Sequence, residues 1–345
     1  MGQQVEIRRS ERAAHRPSLF WPIALISIGV IWLLGNLGVL SGANIAVLFR
    51  LWPLILIVVG IELLIGRNSP AMSGLIAIGG VVLVVIFMLI GPSLGWAGDI
   101  EVKTASFSEP RGDAVSADVS LNLGVADTTI TALSDSGDLF TADLRYVGEV
   151  EFEAEGETEK VISLSQTDDG ADSFNIFSST WFISGDELDW NIGLSPDVPL
   201  ELTIHSGVGE ANLDLSGLQI TSLEVSSGVG EINVNLPSAG ERYSAQISGG
   251  VGETHLTIPA GPDITLTISG GGGETTIDVP DGAGVRVEAD GGVGGVNLPD
   301  DFQRTSGDED NFVGESGTWE TDNFAEAGQQ IVITYNGGVG SLNIE

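Results

Sequence analysis

Cysteine is absent from the 345 residues, so no disulfide framework, thiol nucleophile or cysteine zinc site is available. Histidine occurs only as His15, His205 and His255, too sparse for histidine metal centres or a hydrolase triad. Lysine is confined to Lys103 and Lys160. Basic residues number 13 against 48 acids, a formal net charge of −35, which excludes binding to a phosphate backbone. Mean hydropathy is nevertheless positive, at +0.24. Both can hold only if apolar and acidic residues are segregated along the chain, and they are. Residues 1–98 carry six basic and three acidic residues; residues 99–345 carry seven and 45.

The basic, apolar piece reads as a membrane anchor. After a basic amino-terminal segment (1–18, with Arg8, Arg9, Arg12 and Arg16) come apolar stretches at 19–40, 51–66 and 71–91 within a region ending near residue 92. The first, 22 uncharged residues, would reach about 33 Å as a helix, enough for a ~30 Å hydrocarbon core. It is too long for a signal-peptide core and lacks a cleavage site. The arginine bias keeps the amino terminus cytoplasmic; three spans then put the acidic piece outside, with Arg67 in agreement and Arg50 a mild dissent. Glu62 lies near the end of its stretch and close to Arg67, where snorkelling explains it without a functional role. Trp21, Trp52 and Trp96 sit at stretch ends, as interface anchors do. Gly74, Ala77, Gly79 and Gly80 offer a small-residue face for helix association, within the chain or between copies.

The acidic piece repeats itself. Gly-Val-Gly-Glu occurs at 207–210, 228–231 and 250–253, Gly-Gly-Gly-Glu at 271–274 and Gly-Val-Gly-Gly at 292–295. The central residues are 21 or 22 apart; a last copy, Gly338-Val339-Gly340, comes later, and Gly124-Val125-Ala126-Asp127 is an early relative. Alternating apolar residues precede each corner (Leu200/Leu202/Ile204, Ile264/Leu266/Ile268) and follow it (Leu213/Leu215, Leu256/Ile258). Period-two alternation makes strands with one buried face. Two strands per ~21 residues cannot bury that face alone, so the units must stack. The expected fold is membrane-anchored all-β: amino-terminal transmembrane helices, then a repeat-built β-solenoid or roll over residues 99–345. Residues 134–199 break the period and read as an insertion or cap, with aromatics Phe174, Phe177, Trp181, Phe182 and Trp190; 300–330 is an acidic excursion whose four aromatics favour a packed hairpin.

Chemistry in the array is sparse. Stacking puts Glu210, Glu231, Glu253 and Glu274 in a column about 4.8 Å apart, which either water and salt screen or a cation bridges. Residues 249–257 are similar to a calcium-binding nonapeptide, but that motif's aspartate is Thr254 here, and Ala211, Ile232 and Thr275 in the equivalent positions. The four glutamates are therefore weak cation-ladder candidates beside a plainly solvated acidic face. The glycine corners lack the Lys and Ser/Thr of a phosphate loop. His205 and His255 occupy outward strand positions, and no catalytic residue, cofactor or firm metal site is nominated.

Two regions resemble a known family. Ile28-Gly29, Leu33-Leu34-Gly35-Asn36-Leu37-Gly38 and Leu51-Trp52-Pro53-Leu54-Ile55-Leu56-Ile57 with Gly60 resemble the LiaI/LiaF-like transmembrane region of prokaryotic envelope-stress proteins. Thr318-Trp319, Phe324, Ala327 and the run Ile331 to Ile344 resemble the LiaF carboxyl-terminal, "toast-rack" β domain, with 134–199 the least matched. The resemblance implies a non-enzymatic sensor or regulator of cell-envelope stress, multi-pass in the cytoplasmic membrane, working beside a membrane histidine kinase or another envelope protein. A surface structural or adhesive module is the alternative, and a carbohydrate-active enzyme a remote one.

Overall fold

A computed structural model describes residues 26, 29, 51–65, 70–91, 102–134, 137–167, 188–238, 242–290, 292, 294–307 and 316–345. The stretch 19–40, Trp21, Trp96 and the aromatics Phe174, Phe177, Trp181, Phe182 and Phe312 lie outside those residues, apart from Ile26 and Gly29 in the first. The chain divides into two compact units, one amino-terminal and helical, the other running from Glu101 to the end.

In the helical unit, α1 (Trp52–Ile65) has 14 residues and α2 (Pro70–Ile90) has 21. The side chains of α2 are described without a break only from Ile78. Among the described residues no helix is long and apolar enough to cross a membrane. The two helices touch where glycine allows it: a Cβ on Gly80 would lie 2.7 Å from Val58 Cγ1, whereas one on Gly79 would meet nothing within 4 Å. Of Gly79 and Gly80, the latter is the contact point. Ile57, Ile61, Ile78, Val82, Ile86 and Leu89 are exposed.

The acidic unit is two sheets of 10 and 11 strands. Its recurring element is a rung: a strand in the larger sheet, a glycine corner, and a short strand in the smaller sheet. The rungs are β2/β3 (Ser116–Val125, Asp127–Ala132), β8/β9 (Pro199–Val208, Ala211–Asp214) and β10/β11 (Gln219–Val229, Ile232–Asn235). They continue as β12/β13 (Tyr243–Ser248, Thr254–Thr257), β14/β15 (Ile264–Ser269, Gly272–Asp278), β16/β17 (Gly284–Asp290, Val296–Asn297) and β20/β21 (Gln330–Asn336, Val339–Ile344). Neighbouring rungs are parallel and in register, with Leu202 beside Leu223, Leu223 beside Ala245 and Ala245 beside Leu266. The alternation seen in the sequence makes each of these an inward column. Leu202, Leu223, Ala245, Leu266, Ile333 and Val287 are all at most 2% exposed. Each large aliphatic so buried contributes about 1.5–3 kcal/mol.

The hydrogen-bond ladder continues around the glycine corner: Gly230 N–H donates to Val251 O at 3.0 Å, and Gly252 N–H to Gly272 O at 2.9 Å. Only glycine fits there. Gly252 has φ +149°, and a Cβ on it would sit 1.8 Å from Gly230 O on the rung below.

Order in space is not order in the chain. The β20/β21 rung lies between β14/β15 and β16/β17. Polar groups at its entrance hold it there. Gln329 Nε2 donates to the carbonyls of Pro259 (3.2 Å) and Pro262 (3.0 Å), and Gly261 N–H donates to its Oε1 (3.3 Å). Asp263 Oδ1 accepts from Gln330 N–H at 2.8 Å, while its Oδ2 pairs with Arg242. The Arg242 guanidinium and that amide hold the Asp263 carboxyl below the usual carboxylate range.

Both ends of the stack are closed by aromatics. Residues 134–199 supply β4 (Asp138–Tyr146), β5 (Glu149–Glu155), β6 (Glu159–Thr167) and β7 (Asp189–Leu194). Strand β6 runs parallel to β2, and β7 parallel to β3, while β5 and β4 pair antiparallel outside them. β1 (Lys103–Pro110) completes this end of the smaller sheet. Phe152 stacks on Phe107 at 5.0 Å and on Phe140 at 5.5 Å, joining the two sheets. Edge strand β5 faces outward with Glu149, Glu151, Glu153 and Glu155, charges that disfavour edge-to-edge pairing. At the other end β18 (Phe302–Ser306) and β19 (Ser316–Thr321) pair antiparallel on β16. Arg304 lies over Trp319 (5.1 Å) and Arg286 over Phe324 (4.3 Å).

Candidate interaction face

The outer face of the smaller sheet carries the predicted glutamates. Strands β9, β11, β13 and β15 alternate strictly, so residues next to the corner and then every second residue point to water. Backbone bonds from Ala211 N–H to Glu231 O and from Ile232 N–H to Glu253 O, both 2.9 Å, put Glu210, Glu231 and Glu253 on successive rungs, and Glu274 opposes Ser341 further on. Asp127 heads the column, its Oδ1 accepting from Glu210 N–H at 3.0 Å.

A second column lies beside it: Thr129, Asn212, Asn233, His255, Thr276 and Asn343. Its carboxamides turn toward the acids. Asn212 Nδ2 donates to Glu210 Oε1 (2.9 Å), Asn233 Nδ2 to Glu231 Oε1 (3.0 Å), and Asn343 to Glu274. Asn233 also donates to Asn212 Oδ1 at 3.1 Å, linking two rungs. Each donor offsets part of the repulsion between stacked carboxylates and fixes their direction. Glu231, Asn233, Glu253, His255, Glu274 and Thr276 line an open depression of about 410 Å³.

The two histidines of the acidic unit sit on opposite sheets. His255 is exposed, its Nε2 3.1 Å from Asp278 Oδ2. His205 is exposed on the larger sheet between Asn122 and Ser226. Among the described residues no group of three or more His, Asp or Glu is placed to hold a metal ion. The Glu62 side chain and Arg67 lie outside what the structure describes.

Two features of this region went unread in the sequence. Two of the Asn partners, Asn212 and Asn233, follow their acids by two residues, a spacing visible as Glu-x-Asn at 210–212 and 231–233. The corner valines form an exposed apolar ridge, with Val229 47%, Val251 62% and Val339 63% exposed. Alternation points them outward, since the glycines on either side occupy the tight positions.

Residues 19–64 match the family model of the LiaI-LiaF-like transmembrane region, and residues 97–257 match the N-terminal domain of toast_rack, DUF2154. The chain thus joins a LiaI-LiaF-like transmembrane region to a toast-rack N-terminal domain. The toast-rack match covers the first part of the acidic unit, including 134–199, and stops short of the carboxyl-terminal run that carries the resemblance in the sequence. No curated protein sequence matches the chain. Among solved structures, a candidate cell adhesion protein from Clostridium sporogenes is 24% identical, with 71% of this chain and 99% of that one covered, at a TM-score of 0.49. A candidate adhesin from Bacteroides fragilis is 12% identical, with 70% and 97% covered, at a TM-score of 0.30. At such TM-scores both likenesses are weak.

Proposed function

We propose that this LiaF-like protein is a non-enzymatic sensor or regulator of cell-envelope stress that acts through protein partners, a membrane histidine kinase of a two-component system foremost. The observation that carries the reading is the joining, in one chain, of a LiaI-LiaF-like transmembrane region to a toast-rack domain. The amino-terminal spans hold it in the bilayer as a multi-pass anchor, the amino terminus is cytoplasmic, and the acidic domain stands outside. That domain is read as a solenoid of ~21-residue units, a rigid body whose ordered columns of acids and carboxamides suit recognition of basic protein surfaces. Lipid headgroups of the same sign would repel it.

Affinity purification of the full chain from membranes in mild detergent tests the reading. Recovery of a histidine kinase or another envelope protein, lost on deletion of residues 99–345, supports it. Repeated recovery of no such partner, together with unchanged envelope-stress transcription in a deletion strain, refutes it; altered adhesion in that strain would favour a surface structural role. Sidedness is read separately. A single Thr265→Cys, at an exposed position in this cysteine-free chain, should react with a membrane-impermeant maleimide on intact cells, and protection until lysis would place the domain inside.

A further inference from the structure

Spacing along the chain and order in space disagree at one place. Leu202 and Leu223 are 21 residues apart and adjacent, as are Ala245 and Leu266. Leu266 and Val287 are also 21 apart, yet Ile333 stands between them. The whole β20/β21 rung is inserted there, and its inward residues find apolar neighbours on both sides. Ile331 lies between Ile264 and Val285, and Tyr335 between Ile268 and Ala289. Corner glycines do the same: a Cβ on Gly340 would strike Gly273 O, and one on Gly294 would strike Gly340 O.

Removal of the inserted rung would therefore leave two rungs that already match. Ile264 would face Val285, Leu266 would face Val287, and Ile268 would face Ala289, all at the spacing used elsewhere in the stack. A one-residue slip would turn every side chain to the wrong face, but no slip arises. Apolar register at the seam matches in either arrangement. What does is the polar latch at the entrance, Gln329 with the 259–262 carbonyls and amide and Asp263 with Gln330, and Tyr335, whose ring reaches under the glycine-only stretch 270–273. Release breaks two rung–rung interfaces and forms one, so the inserted arrangement dominates and the closed one is a minor state reached by local opening.

We propose that rung 330–344 is a removable insert, and that on its release rungs 264–278 and 284–297 close on each other in register. This gives an otherwise rigid stack a two-state element.

Cysteine pairs in the full-length protein in detergent test it. Thr267 and Glu288 flank Thr334 at two strand spacings, about 9.6 Å, beyond the roughly 7 Å a disulfide can bridge. After closure they are neighbours at about 4.8 Å. Under mild oxidant the inserted-state pair T267C/T334C should link quickly and completely. T267C/E288C should link slowly within one chain that keeps its β-sheet circular dichroism. Adding Gln329→Ala should speed that link about tenfold, and truncation after Gln329 should bring it to the rate of the control pair. A T267C/E288C pair that stays reduced in all three backgrounds overturns the proposal. So does a link confined to the truncated chain, which would mean the rung does not leave, or loss of β structure on truncation, which would mean the remaining rungs do not close.

Discussion

Replacement of Gly252 by alanine isolates the physics of the corner. Two terms act there. Gly252 sits at φ +149°, where an L-residue is strained by about 1–2 kcal/mol. Its new methyl would stand 1.8 Å from Gly230 O, so a whole rung must shift by more than an ångström, an overpacking cost of about 1–3 kcal/mol. Together Gly252→Ala should cost about 2–5 kcal/mol. Two controls separate the terms. Gly282 has φ +79°, but a methyl added there would meet nothing within 4 Å, so Gly282→Ala should cost only the backbone strain, about 1–2 kcal/mol. Gly272 occupies the column where neighbouring rungs carry Val251 and Val339, and an added Cβ would come no nearer than 4.0 Å to Val339 O, so Gly272→Val should be nearly neutral. Urea unfolding of the three variants, followed by far-ultraviolet circular dichroism and read as a midpoint at constant m-value, gives the ranking. A Gly252→Ala cost no larger than that of Gly282→Ala would refute the claim that rung-to-rung approach, rather than backbone conformation, demands glycine.

The latch makes a pH-dependent prediction. Asp263 has its folded pKa lowered, so its contribution is present above the ordinary carboxylate range and is lost as pH falls through the folded value. Asp263→Asn should lower Tm by about 2–4 °C at neutral pH, and the gap from the unmutated chain should narrow on acidification below about pH 4; an equal gap at pH 7 and pH 3 would contradict this. The acid column predicts salt sensitivity: Glu231→Gln should raise thermal stability at low ionic strength, with the gain shrinking as salt screens the column. Millimolar calcium should leave Tm unchanged, and a calcium-dependent rise abolished by Glu231→Gln would revive the cation ladder. Phe152→Ala should destabilise the chain by about 1–3 kcal/mol, because it removes the ring that stacks on Phe107 and Phe140 across the two sheets; unfolding at an unchanged urea midpoint would count against that closure.

Much of this protein is written locally. Segregated charge separates the anchor from the acidic domain, because residues for lipid and for water cannot be interchanged. Alternation around Leu202, Leu223 and Leu266 determines which face is buried, because strand side chains have period two. The Gly-Val-Gly corners mark where rungs approach, and the outward glutamates follow from parity. Two of the carboxamides that partner those glutamates, Asn212 and Asn233, were also legible, in Glu-x-Asn. Other features depend on contacts between residues far apart in the chain. Periodicity treats 330–344 as one more unit and cannot say which neighbours it takes, since every rung offers the same apolar edge. Its place is decided by Gln329 and Asp263, polar side chains whose partners lie 67 to 70 residues away along the chain and carry no repeat signal. The contacts that close the ends of the stack were likewise hidden. Phe107, Phe140 and Phe152 come from three strands of two sheets, and only tertiary structure gathers them into the cluster that shields the last rung from water.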